Sequence, residues 1–191
     1  METAPISIDY DLGQHGWSSF TLTVGDRSVE VEPVSYCTDV LGDLVRTALM
    51  IAAGHYRAEA SFDGEPVEWR LVLQRGWRAE DFDTFDLKIL TFADIHGRRP
   101  EADGALEFEA RVGGVAFART VADVAQAIWD KHGAEGYNRL WTGSEGFPLR
   151  ALRALQTALG LNDPAPLNRT FDLPCDPAAA DGIIDSTEDD A

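Results

Sequence analysis

A chain of 191 residues, 45% hydrophobic and 26% charged, has the size and make-up of one ordinary globular domain, long enough to bury about two thirds of the surface its unfolded form exposes. With 33 acidic against 16 basic side chains the formal charge is −17, which repels phosphate backbones and anionic headgroups, so direct binding to nucleic acid or to a membrane surface is disfavoured. Met1 to Ile8 lacks the features of a secretion signal, no run of about 18 apolar residues could span a bilayer, and Cys37 and Cys175 form no framework, so the expectation is a cytoplasmic protein with two free thiols.

Alternation with period two opens the chain. Ile6, Ile8, Tyr10 and Leu12 share one face and Ser7, Asp9 and Asp11 the other, which predicts a half-buried strand. Phe20, Leu22 and Val24 lead through Gly25-Asp26 to Val29 and Val31, a hairpin pattern that turns Glu30 and Glu32 outward. At Thr38 a capping hydroxyl precedes Asp39, Leu41, Leu44, Ala48 and Ile51 at helical spacing, and Gly54 supplies the stop. Val40, Val45 and Leu49 widen the apolar stripe, so this helix should pack deeply.

A second hairpin is predicted from Tyr56–Phe62, the turn Asp63-Gly64-Glu65-Pro66, and Val67, Trp69, Leu71 and Leu73, with Glu68 and Arg70 on the opposite face. Strands follow at Phe85–Phe92 and Ala105–Val112, the latter with Leu106, Phe108, Ala110 and Val112 inward and Glu107, Glu109 and Arg111 outward. Between them Gly97–Gly104 is a charged loop. After Gly113-Gly114 the chain turns helical: Thr120 and Asp123 resemble a capping pair for a helix ending near Gly133, a short piece carries Tyr137, Leu140 and Trp141, and Pro148 opens a last helix closed by Gly160.

Residues 161–191 form an acidic, proline-containing tail, expected to be disordered from about Asp176 because it cannot bury enough apolar surface to offset the entropy of ordering. Eight acidic residues and one arginine give it −7, which leaves −10 (25 acidic, 15 basic) for the domain at residues 1–160. Short-turn strands followed by a block of helices imply an α+β fold: one antiparallel sheet of six or seven strands, covered on one face by three or four helices.

Three stretches resemble the signature of a family of uncharacterised bacterial proteins: Ser35-Tyr36-Cys37-Thr38-Asp39-Val40-Leu41-Gly42-Asp43-Leu44, Glu65-Pro66-Val67-Glu68-Trp69-Arg70, and Gly136-Tyr137 through Trp141 to Phe147-Pro148. That family usually carries glycine after the proline of the second stretch, where this chain has Val67. The resemblance covers roughly residues 30 to 155 and implies structural motifs with no activity attached. In size, acidity and sheet-plus-helix pattern the chain also resembles small intracellular immunity proteins, encoded beside toxins.

Chemical signatures are sparse. His15, His55, His96 and His132 fall at no metal-ligand spacing, so no metal is expected, and His132 beside Lys131 suits a helix C-terminus. Gly143-Ser144-Glu145-Gly146 lacks the strand-to-helix setting of a nucleophile elbow, and Gly113-Gly114 lacks the flanking glycines and lysine of a phosphate loop, so no cofactor is expected. Asp181 to Asp185 lacks the oxygen ligands of a calcium loop. Cys37, just ahead of a helix, reads as a half-buried thiol. Trp129 and Trp141 read as packing residues.

Two features point to binding. Glu68 and Arg70 flank Trp69 and would either orient a polar partner or form a surface pair above a core tryptophan. Asp9, Asp11, Glu30, Glu32, Glu68, Glu107 and Glu109 would all lie on the helix-free side of one sheet, a face that steers a basic protein into contact or serves only solubility. The leading expectation is a non-enzymatic module that binds a basic protein through this face, immunity to a toxin being one setting. A small enzyme with a site from Glu68, Arg70 and His132 would show a concave pocket with a shifted titratable group, and an oligomeric scaffold would show a self-complementary apolar patch.

Overall fold

The computed structural model describes residues 3–76, 82–95, 99–143 and 145–161. Alternation at the start of the chain gives β1 (Ile6–Leu12), β2 (Trp17–Val24) and β3 (Arg27–Ser35), paired antiparallel in the order β1-β2-β3. Ile8, Phe20, Leu22, Val24, Val31 and Val34 are buried on one side, as the period requires. Gly25 makes the β2–β3 turn at φ +64°, a conformation that glycine adopts without a steric penalty.

Helix α1 (Val40–Ala52) buries Leu41, Leu44, Val45, Ala48 and Ile51, the wide stripe expected of it. Its cap differs from the expected Thr38: Asp39 accepts the amide of Gly42, and Thr38 Oγ1 instead accepts the amide of Asp63 at 3.0 Å, tying the helix start to the next hairpin. That hairpin, β4 (Arg57–Asp63) and β5 (Glu68–Arg75), continues through β6 (Thr84–Phe92) to β7 (Ala105–Gly113) in a second antiparallel sheet of order β4-β5-β6-β7.

The fold is α+β, and the described residues form seven antiparallel strands and three α-helices, but the strands do not form the single sheet expected from their spacing. Where β3 would hand over to a hairpin partner, α1 intervenes, and β4 starts a separate ladder. The two sheets close on one core instead, with Phe20 of the first meeting Phe62 of the second edge to face at 5.6 Å. The ends of β3 touch opposite edges of the second sheet: Arg27 donates to the Glu109 carbonyl on β7 at 3.1 Å, and a Cβ at Gly64, beyond β4, would stand 3.1 Å from the Pro33 carbonyl.

Helix α2 (Gly114–Leu140) starts directly after β7, so Thr120 and Asp123 lie inside it and are no capping pair. Thr120 donates to the Ala116 and Ile6 carbonyls, and the amide at the helix start is taken by Asp83, whose carboxylate accepts from Val115 at 3.0 Å. Phe117, Ala118, Val121, Ala122, Ala125 and Ile128 form its buried stripe, each large apolar side chain contributing roughly 1.5–3 kcal/mol. At Gly133 (φ 59°, ψ −173°) the helix breaks, and the second half carries Tyr137 toward Trp141. Helix α3 (Leu149–Ala158) follows Pro148 and buries Leu152 and Leu155. No helix among the described residues is long and apolar enough to cross a membrane. The tail beyond Leu161, with Cys175 and the segment from Asp181 to Asp185, lies outside the described residues, as do His96 and Ser144.

Candidate functional site

The carboxylates expected on one face are divided between two, and they differ in kind. On the outer face of the second sheet the register sets Arg57, Glu59 and Ser61 opposite Gln74, Val72 and Arg70, these opposite Asp86, Lys88 and Leu90, and Asp86 and Lys88 opposite Arg111 and Glu109, with Glu68 one step further along β5. Cations and carboxylates interleave there: Arg57 pairs with Glu59 (2.7 Å) and Glu101 (3.2 Å), Lys88 with Glu101 (2.8 Å), Arg111 with Asp86 (3.4 Å) and Arg70 with Glu68 (2.7 Å). This face is charge-balanced rather than acidic.

Part of it is also roofed. Glu68 and Arg70 are only 1% and 9% exposed, so they are neither a recognition patch nor a surface pair. Glu68 accepts from Ser61 at 2.7 Å as well as from Arg70, while Arg70 donates to the Arg99 carbonyl at 2.8 Å and lies 4.1 Å above the Phe92 ring. Val72, Leu90 and Phe92 form a small second core under segment 99–104, where Gly104 presses on the Phe92 ring so closely that a Cβ would fall 2.6 Å from it. In this roof Glu101 is held below the usual carboxylate range, first by the hydrogen bond from Lys88.

Glu107 and Glu109 also part company. The β6–β7 register shifts between Ile89 and Leu90, so the expected inward Leu106 is 54% exposed and Glu107 accepts from Thr91 at 2.8 Å, while Glu109 stands opposite Lys88. A bulge of this kind leaves no mark in an alternating sequence.

On the first sheet the carboxylates do share one outward side, although Asp9 and Asp11 on its edge strand also line a groove against α2, so this side is not the helix-free face expected. Asp9, Thr21 and Glu30 are in register, Asp11 faces Ser19, and a shift between Ser18 and Phe20 sets Glu32 and Pro33 together against Ser19. All four carboxylates are exposed, none forms an ion pair among the described residues, and Trp17 stands at the same end, 37% exposed.

A third locus was not anticipated. The three stretches singled out by resemblance converge on it: Ser35 Oγ donates to Glu65, Cys37 Sγ lies 3.6 Å from the same carboxylate, and Tyr36, Cys37, Asp39, Asp43, Arg46, Trp141, Gly143 and Glu145 line a cavity of about 440 Å³. Cys37 is exposed rather than half-buried. Arg46 bridges Asp39 (2.9 Å) and Asp43 (2.7 Å), and burial raises the Asp43 carboxyl above its ordinary value against the opposing pull of Arg46. Behind the cavity Tyr137 packs against Trp141, burial pushes the Tyr10 and Tyr137 hydroxyls well above the ordinary tyrosine range, against a smaller downward pull from Ser18 on Tyr10, and neither the Tyr137 hydroxyl nor the Trp141 indole N–H has a hydrogen-bond partner among the described residues.

His132, the remaining residue of the enzyme reading, lines a groove of about 230 Å³ between β1 and α2 with Lys131, Asp9 and Asp11, separate from Glu68 and Arg70. Among the described residues no group of three or more His, Cys, Asp or Glu side chains could hold a metal ion. Exposed large apolar side chains come from scattered elements, among them Trp17, Tyr56, Phe82, Leu106 and Val115. No family model, curated protein or solved structure matches this chain.

Proposed function

We propose that this protein is a non-enzymatic binding module that engages a basic protein through the outer face of its first sheet, with Asp9, Asp11, Glu30 and Glu32 as the charged contacts and Trp17 as the aromatic one. The observation that carries the reading is the absence, among the described residues, of any ion pair to these four carboxylates, while the four cations on the second sheet's outer face are each paired. Exposed like charges with no internal partner raise the rate at which an oppositely charged surface arrives, and an adjacent aromatic ring supplies contact area and a cation–π partner. The proposed setting is the cytoplasm, with immunity to a toxin as one form of it, in keeping with the resemblance to small immunity proteins.

The test is comparative. A variant with Asp9→Asn, Asp11→Asn, Glu30→Gln and Glu32→Gln is immobilised beside the unaltered protein and beside a second-face control, Glu59→Gln with Glu109→Gln. A basic protein retained in stoichiometric amount by the unaltered protein and the control, lost from the first-face variant and weakened by moderate salt, is the expected result. Retention that ignores the first-face substitutions, or no retention at low salt, overturns the proposal.

A further inference from the structure

The first sheet ends on β1, which has a strand on one side only. Gly25 N donates to the Pro5 carbonyl at 2.9 Å, so by the alternation of an antiparallel ladder Ser7, Asp9 and Asp11 bond to β2 while the backbone groups of Ile6, Ile8, Tyr10 and Leu12 point away from it. Helix α2 takes the first of these, Thr120 Oγ1 donating to the Ile6 carbonyl at 3.3 Å. Beyond it a groove of about 230 Å³ lies between Ile8–Leu12 and the helix residues Val124, Ala127, Ile128, Lys131 and His132. Along this stretch the amides of Ile8, Tyr10 and Leu12 and the carbonyls of Ile8 and Tyr10 have no hydrogen-bond partner among the described residues. A row of unpaired donors and acceptors beside a partly apolar trough is the geometry that accepts an added strand.

Charge selects which strand. Asp9 and Asp11 are exposed along this edge, and Lys131 is the one lysine or arginine lining the groove, a local excess of one negative charge by count. A second copy of β1 would set these carboxylates against their own counterparts, and the C-terminal tail, with eight acidic residues and one arginine, is repelled in the same way. A segment that alternates apolar and basic residues is matched on both faces. In antiparallel register its apolar side chains lie opposite Ile8, Tyr10 and Leu12, toward Val124, Ala127 and Ile128, and its basic ones lie opposite Asp9 and Asp11.

We infer that β1 is a docking edge, which takes an extended basic–apolar segment of a partner protein as a fourth, antiparallel strand of the first sheet. The inference rests on the proposed basic partner and names the part of it that binds and the backbone groups that hold it.

The probe is the peptide acetyl-Val-Lys-Val-Lys-Val-amide, titrated into the full-length protein at low salt and followed by two-dimensional nitrogen–proton NMR. Saturable shifts and slower hydrogen exchange are expected at the amides of Ile8, Tyr10 and Leu12. N-methylation of the valines, whose amides face β1 in this register, should weaken binding about tenfold or more, whereas N-methylation of the lysines should leave it nearly unchanged. Asp9→Asn with Asp11→Asn should weaken the lysine peptide about fivefold, and Ala127→Gln, which fills the groove without adding charge, by about as much. Asp9, Asp11 and Ala127 are exposed, so these variants test binding rather than folding.

Equal binding of the valine-methylated peptide or of acetyl-Val-Glu-Val-Glu-Val-amide, or no saturable shift at millimolar peptide, overturns the inference. So does slow exchange of the Ile8, Tyr10 and Leu12 amides in the free protein, which would mean that the tail or a second copy already covers the edge. The retention assay keeps the two readings apart: a basic protein lost on neutralising Glu30 and Glu32, yet held equally by Ala127→Gln and the unaltered chain, removes the added strand and leaves the sheet face standing.

Discussion

The two sheets treat their solvent sides in opposite ways. The second pairs Arg57, Lys88 and Arg111 with carboxylates, buries Glu68 against Arg70 and lays segment 99–104 over Phe92. The first leaves Asp9, Asp11, Glu30 and Glu32 exposed among serines and threonines. Charge invested in internal pairs organises the fold, and charge left unpaired is free to act on something outside it. An acidic composition alone does not distinguish the two.

If that division is right, the largest effect comes from opening the buried pair. Arg70→Ala strands Glu68 without its counter-charge and drops the bond to the Arg99 carbonyl, so urea unfolding should show a loss of about 3–5 kcal/mol. The double change Glu68→Leu with Arg70→Met should recover most of it, because no charge is then left buried alone. Lifting the roof sterically is the next step down. Gly104→Val drives a side chain into the Phe92 ring and should cost about 1–3 kcal/mol, with faster hydrogen exchange across β5 and β6.

A smaller effect, about 1 kcal/mol or less, is expected for Glu101→Gln, whose partners Lys88 and Arg57 are both partly solvated. Because Glu101 titrates below its ordinary value, its contribution is complete above the unfolded glutamate pKa of about 4.3 and fades as pH falls through the depressed folded value. The acid limb of the stability curve should therefore flatten in the variant. Neutralising Asp9, Asp11, Glu30 and Glu32 should change stability least, within about 0.5 kcal/mol, since carboxylates two strands apart are separated by about 10 Å and largely screened at physiological salt. A large stability loss from the first face, or none from the second, would erase the distinction between them.

Local pattern carried most of the strands and helices. Sequence pattern placed the seven described strands within a few residues, Gly54 and Gly160 marked helix ends, and Pro148 marked the start of α3. What failed was long-range. That seven strands split into two ladders depends on where α1 inserts. The α2 cap comes from Asp83, 32 residues away, and the burial of Glu68 and Arg70 depends on segment 99–104, whose own sequence shows only charge and a turn. Outward alternation was correct for Glu68, but outward did not mean exposed, because β5 is covered on both sides. The cavity was legible only as three separate stretches; nothing local says that Glu65 meets Ser35 or that Trp141 faces Gly143.

Arg27 has a further consequence. It is the only lysine or arginine in the first three strands, and it is turned away from their outer face, donating to the Glu109 carbonyl and resting 5.0 Å from the centre of the Phe108 ring. The strands of the first sheet therefore set no cation among the carboxylates of their outer face. A positively charged support would attract that face and hide the surface under test, so capture through an engineered tag at the chain end is the way to keep it in solution.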